Sequence, residues 1–111
     1  MSEGRPTIST HVLDTGTGHP AEGVIVILYR LDVGDAPARL TQALTDSDGR
    51  IADLCGRPLA AGEYRLEFRI AEGRGGFFSR ISVDFRVTDA KRSYHVPLLL
   101  APYSLTTYRG S

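Results

Sequence analysis

Two of the three histidines in this 111-residue chain lie inside stretches whose side chains alternate in character. His11, in "STHVLD", shares a face with Ser9 and Leu13. His95, in "YHVPLLL", shares a face with Pro97 and Leu99, opposite Tyr94, Val96, Leu98 and Leu100. The core-packed side of that last stretch reads as the Tyr94 side, which leaves His95 pointing outward. An imidazole titrates near pH 6.5, so neutral His11 or His95 is a competent general base at physiological pH. On type and spacing alone, ordinary half-buried imidazoles are the commoner reading. Metal binding has weaker support, because no HxH, HxxxH or cysteine cluster offers ligand spacing. Pro97 has no N–H for a ladder, so the strand that carries His95 is expected at a sheet edge or a bulge.

Other chemistry-bearing residues read more plainly. His19, in "GTGHP", sits in a turn and is read as solvated. Arg50 follows "DSDG", a tight Asp-Gly turn; the same letters suggest a calcium loop, but the later glutamate at loop spacing is missing. Cys55 has Arg57 two residues on and no histidine nearby, so it reads as a small apolar filler. "EGRGG" lacks the Gly-Lys-Ser/Thr ending of a phosphate loop and marks a connection between strands. No GxSxG nucleophile motif is present. The last four residues, Tyr108-Arg109-Gly110-Ser111, hold more chemistry than a frayed terminus requires.

The elements that must position these residues are strands. "YRLEFRI" places Tyr64, Leu66, Phe68 and Ile70 on one face and Arg65, Glu67 and Arg69 on the other. "RISVDFRV" repeats the pattern with Ile81, Val83, Phe85 and Val87. "GVIVILYR" is continuously apolar and β-branched, as a strand covered on both sides should be. Weaker strands are predicted at "TISTHVLD", "LTQALT" and "YHVPLLL", with a short last one near "LTTYR". No stretch carries a helical stripe of ten residues. Seven or eight short strands separated by Gly, Pro and Asp turns predict an all-β, two-sheet sandwich in a single domain spanning 1–111, with 1–7 as a flexible tail.

Composition bounds the partners. Apolar residues make up 41% and charged residues 23% of the chain, ordinary for a globular domain. Thirteen basic residues balance thirteen acidic ones, which removes the usual footprint of nucleic-acid or anionic-membrane binding. One cysteine forms no internal disulfide, and no asparagine is present to carry an N-linked glycan. The opening "MSEGRPTIST" contains no apolar run for a signal peptide, so a cytoplasmic protein is expected.

Three separated blocks, "STHVLDTGTGHPAEGV", "TDSDGR" and "YHVPLLLAPYSLTTYRGS", resemble the transthyretin-like 5-hydroxyisourate hydrolases, whose signature tetrapeptide is the closing "YRGS". The resemblance runs from about Ile8 to Ser111. It implies a transthyretin-fold β-sandwich assembled as a homotetramer, a dimer of dimers, with active sites in the channel where the two dimers meet. The implied reaction hydrolyses an amide-type C–N bond of the small-molecule substrate 5-hydroxyisourate. It gives 2-oxo-4-hydroxy-4-carboxy-5-ureidoimidazoline in urate breakdown, without metal or organic cofactor. The catalytic positions carried over are His11, Arg50, His95 and Ser111. The substrate-binding positions are His11, Arg50, Tyr108, Arg109 and Gly110.

The chain departs from the family pattern in places. Ser93-Tyr94-His95 stands where many members have His-Tyr-His, and Leu105 where an aromatic often stands. "RIAEGRGGFF" is shorter than the usual link, so the short helix normally found there is expected to be absent or reduced to a turn. Two rival readings remain. One is a transthyretin-type carrier binding a small apolar ligand in the tetramer channel; the other is an immunoglobulin-like interaction module. The polar set His11, Arg50, His95 and Ser111 argues against the carrier, and the three matching blocks argue against the interaction module.

Overall fold

The computed structural model describes residues 5–74 and 76–110. Among the described residues nine strands form: β1 (Ile8–Asp14), β2 (His19–Pro20), β3 (Ile25–Arg30), β4 (Ala38–Leu44), β5 (Arg50–Ile51), β6 (Gly62–Arg69), β7 (Arg80–Val87), β8 (Tyr94–Leu100) and β9 (Leu105–Thr107). They build two sheets. One runs β2-β1-β8-β9, with β5 also paired to β1; the other runs β4-β3-β6-β7. The period-two pattern decides which side chains meet between the sheets. Ile8, Val12, Val96 and Leu98 face inward from the first sheet, and Val26, Leu28, Leu66 and Phe68 from the second, all buried in one core cluster. At roughly 1.5–3 kcal/mol for each large apolar side chain, this stripe supplies the main drive to fold.

The continuously apolar stretch behaves as its composition requires. β3 is central, between β4 and β6, and its outward-facing Ile27 is as buried as inward-facing Val26 and Leu28. The link after β6 holds a single 3-10 turn, Glu72–Arg74, in place of a longer helix.

β8 corrects one expectation. It is not an edge strand, because it lies between β1, with which it runs parallel, and β9. The proline is tolerated because pairing with the C-terminal segment is interrupted beside it. After Leu98↔Thr107 the next pair is the isolated bridge His95↔Gly110. In between, the Pro97 carbonyl accepts a 2.8 Å hydrogen bond from the Thr107 hydroxyl. His19, read as a turn residue, forms the two-residue β2 with Pro20 and is exposed. At the other end, the Thr7 N–H donates to Ser93 Oγ, its carbonyl accepts from Tyr94, and Arg5 pairs with Asp53. The first four residues of the expected tail lie outside the described residues.

Candidate active site

Parallel pairing of β1 with β8 is what assembles the site. Ser9 stands opposite His95, and His11 opposite Pro97, so residues 86 positions apart in the chain become neighbours on the outer face of one sheet. Antiparallel β5 lies along the other side of β1, with Arg50 opposite His11. On the far side of β8, Gly110 bridges His95 and donates its N–H to the His95 carbonyl at 2.7 Å. Register partners project to the same side, so His11, Arg50, His95 and Gly110 share one face.

Arg50 is set by its turn. The Asp46 carboxylate accepts from the Asp48 and Arg50 N–H groups, both at 2.9 Å, and the Asp46 N–H returns a 3.0 Å bond to the Arg50 carbonyl. This Asx-type turn accounts for "DSDG" through backbone bonding. Gly49 within it has φ +76°, and a Cβ there would lie 2.4 Å from the Val12 carbonyl oxygen. Only glycine lets the turn lie so close against β1.

A cleft of about 500 Å³ opens on this face, lined by Ser9, Arg50, Ser93, His95 and Gly110 with parts of β1 and β5. His11 is not part of its lining in the single chain and stands beside it, across the strand pair from Arg50. His95 is half-buried. Its Nδ1 lies 2.8 Å from Ser9 Oγ, and the Gly110 backbone presses on its Cδ2 edge, where a Cβ would come within 2.6 Å. Burial, with the His11 and Arg50 charges adding to it, pushes the His95 imidazole below its ordinary pKa. At neutral pH the ring is therefore uncharged and able to accept a proton.

The C-terminal residues divide between two environments. Gly110 covers His95, whereas the Arg109 guanidinium lies over the Tyr94 ring, 4.5 Å from its centroid, on the opposite face of β8. Tyr94 is held in turn by the Thr88 and Asp89 N–H groups, which donate to its hydroxyl. Tyr108 is exposed and borders a second, mostly apolar cavity of about 260 Å³ between the sheets, with Val83, Phe85 and Val96. Ser111 lies outside the described residues. Cys55 is buried and away from the cleft, its thiol pushed up by burial, as a packed filler should be. Among the described residues, no group of three or more His, Cys, Asp or Glu side chains could hold a metal ion.

In the sequence Ser9 is no more than a face-mate of His11. The alternation of "STHVLD" placed it on the right face. The parallel pairing that brings it to His95 has no local signal.

Comparison with known proteins agrees with the geometry over nearly the whole chain. The model of the HIUase/Transthyretin family matches residues 8–110. A 5-hydroxyisourate hydrolase of Mesorhizobium japonicum is 44% identical over 115 residues, covering 94% of this chain and 91% of the relative. The structure of Klebsiella pneumoniae 5-hydroxyisourate hydrolase superposes with a TM-score of 0.81 at 41% identity, covering 95% of this chain and 99% of that one. Sea bream transthyretin in complex with thyroxine superposes with a TM-score of 0.83 at 27% identity, covering 93% of each chain. With a family model spanning both site-bearing strands and close relatives matched nearly end to end, this chain belongs to the HIUase/Transthyretin family.

Proposed function

We propose that this protein hydrolyses 5-hydroxyisourate, opening its ring to 2-oxo-4-hydroxy-4-carboxy-5-ureidoimidazoline. The observation that carries the reading is the convergence of His11, Arg50, His95 and Gly110 on one face, around a cleft that holds a neutral imidazole beside a guanidinium. Ring opening needs a base for the attacking water and a positive group for the oxygen that becomes negative. In this reading His95 is the base. The water oxygen bonds to the substrate carbonyl carbon while its proton passes to His95 Nε2. Arg50 stabilises the resulting oxyanion and clamps the planar, carbonyl-rich ring. Collapse breaks the C–N bond, and the imidazolium returns its proton to the departing nitrogen. The net change is addition of one water, with His95 restored. His11, opposite Arg50, contacts the substrate from the neighbouring position on β1, and Ser111 completes the catalytic set. Gly110 walls the substrate space, while Tyr108 and Arg109 act on substrate binding through the segment that the stacking of Arg109 on Tyr94 pins. No cofactor is required in this scheme.

Assembly as a homotetramer is part of the same proposal. β7 and the three-residue β9 are edge strands, and the 260 Å³ apolar cavity opens between them. Phe77, Tyr103 and Tyr108 are exposed. Unpaired edges beside exposed aromatics are what an assembling surface presents. A cytoplasmic location fits the reading, and no helix among the described residues is long and apolar enough to cross a membrane.

The test is decay of 5-hydroxyisourate, freshly generated from urate by urate oxidase and followed in the near ultraviolet, with His95→Ala as control. Acceleration by the wild type and a loss of about 10²-fold or more in the variant are expected, the typical contribution of a positioned base. Light scattering on both proteins should give the mass of four chains. A folded tetramer that leaves the decay rate unchanged sinks the hydrolase reading.

A further inference from the structure

We propose that Ser9 is a positioning residue for His95: its hydroxyl accepts the Nδ1–H of the ring, leaving Nε2 unprotonated and turned to the cleft. The inference rests on the hydrolase reading for its purpose, though its structural content can be tested separately. Ser9 Oγ lies 2.8 Å from His95 Nδ1, and among the described residues the ring is its one side-chain partner. The contact is built into the sheet, since Ser9 and His95 are register partners in the parallel ladder. Neighbours on both sides hold them there. Ile8 and Thr10 are buried, and the Thr10 hydroxyl donates to the Val96 carbonyl across the same pair of strands at 2.6 Å. With Gly110 against the Cδ2 edge, the ring is fixed on two sides and presents its remaining nitrogen to the cleft.

The charge facing the ring selects the tautomer. Arg50 lines the same cleft, and a guanidinium favours a lone pair over an N–H facing it. His11 on β1 adds no anion, and Arg109, the nearest cation of the C-terminal segment, is turned to Tyr94. No described carboxylate bonds to the ring. The partner's chemistry matters as well. A carboxylate on Nδ1 would stabilise the imidazolium and raise the ring's pKa, as in a Ser-His-Asp triad. A hydroxyl is neutral and can accept as readily as it donates, so it orients the ring without charging it. The site thereby keeps a free base at neutral pH, which its two basic neighbours, His11 and Arg50, also favour.

The test begins with the resting protein. Long-range proton–nitrogen NMR correlations on uniformly labelled wild type should show His95 with a pyrrole-like Nδ1 and a pyridine-like Nε2. In Ser9→Ala the ring should shift toward the Nε2–H form that free imidazole side chains favour. kcat should fall about tenfold, the worth of one hydrogen bond, with KM within about twofold. Ser9→Thr, which keeps the hydroxyl and suits a strand, should restore the tautomer and most of kcat. An Nε2–H tautomer in the wild type overturns the proposal, as does a tautomer or kcat unchanged in Ser9→Ala. Absence of wild-type turnover would instead remove the hydrolase reading while leaving the tautomer legible. If Ser9→Ala fails to fold, the wild-type spectrum and Ser9→Thr still decide the matter.

Discussion

Gly110→Ala isolates the contact between the C-terminal segment and His95. Gly110 is not among the glycines with positive φ, so alanine fits the backbone, and whatever happens comes from one added methyl group. That methyl would sit 2.6 Å from His95 Cδ2, against the 3.4 Å at which ordinary contact begins, and close to Cγ and Cβ as well, at 3.3 and 3.4 Å. The gap must open by roughly 0.8 Å. The ring cannot yield without compressing its 2.8 Å contact to Ser9 on the opposite edge, and the backbone cannot lift without stretching the 2.7 Å bond from Gly110 N–H to the His95 carbonyl. A misplacement of about 1 Å at reacting groups costs on the order of 10²-fold in rate.

Stability should barely respond. The perturbed contact is an isolated bridge outside the core, and losing its hydrogen bond costs about 1 kcal/mol, or a fall in Tm of roughly 4–8 °C for a domain of this size. The assay is near-ultraviolet decay of 5-hydroxyisourate, with kcat and KM measured separately and a thermal melt beside them. A kcat reduced about a hundredfold in a protein that melts within several degrees of wild type is the expected pair of results. Turnover within about threefold of wild type would refute the reasoning, because the segment would then not press on His95 in the working enzyme.

Two further perturbations reach other parts of the same frame. His95 has its pKa held below the usual imidazole value by burial, with His11 and Arg50 adding to it, so its neutral form persists on the acid side of pH 6.5. The acid limb of kcat/KM should therefore have its midpoint below about 6.5 and coincide with the His95 titration followed by NMR in the free protein; a midpoint above 6.5 would contradict the assignment of His95 as base. Gly49→Ala forces a side chain into left-handed backbone, at about 1–2 kcal/mol, and drives a methyl to 2.4 Å from the Val12 carbonyl. Urea unfolding should show a loss of more than 2 kcal/mol, and an unchanged midpoint would mean that the turn does not bear on β1.

The strands were legible wherever burial differs between their two faces. Tyr64, Leu66, Phe68 and Ile70 declare one side of β6, and the same alternation in "YHVPLLL" turns His95 outward. Long-range pairing left no such trace. Nothing in "STHVLD" reveals that it runs parallel to a strand 86 residues later, and hydrophobic alternation is blind to which neighbour a strand takes. Pro97 misled for a related reason. A missing N–H marks an interruption in a ladder, but an interruption can fall inside a sheet when the partner pairs on either side of it, as the C-terminal segment does at Leu98 and His95. Arg109 could not be placed from its type alone. Its stacking on Tyr94 depends on which face of β8 the final residues cross.

Fold likeness alone does not separate hydrolase from carrier, since the TM-scores to the Klebsiella hydrolase and to the thyroxine-bound transthyretin are 0.81 and 0.83. The outer face of the first sheet does discriminate. A ligand that covered it with apolar surface would bury the Arg50 guanidinium and the polar edge of His95 that faces the cleft without partners, each at about 1–3 kcal/mol and more for the charge. A small, flat, carbonyl-rich ring offers acceptors to Arg50 and, with its bound water, a proton to His95. Desolvating this face is therefore favourable for such a ring and unfavourable for an apolar hormone. In the proposed reading, the side chains at positions 9, 11, 50 and 95 suit this face to hydrolysis rather than to carrying an apolar ligand.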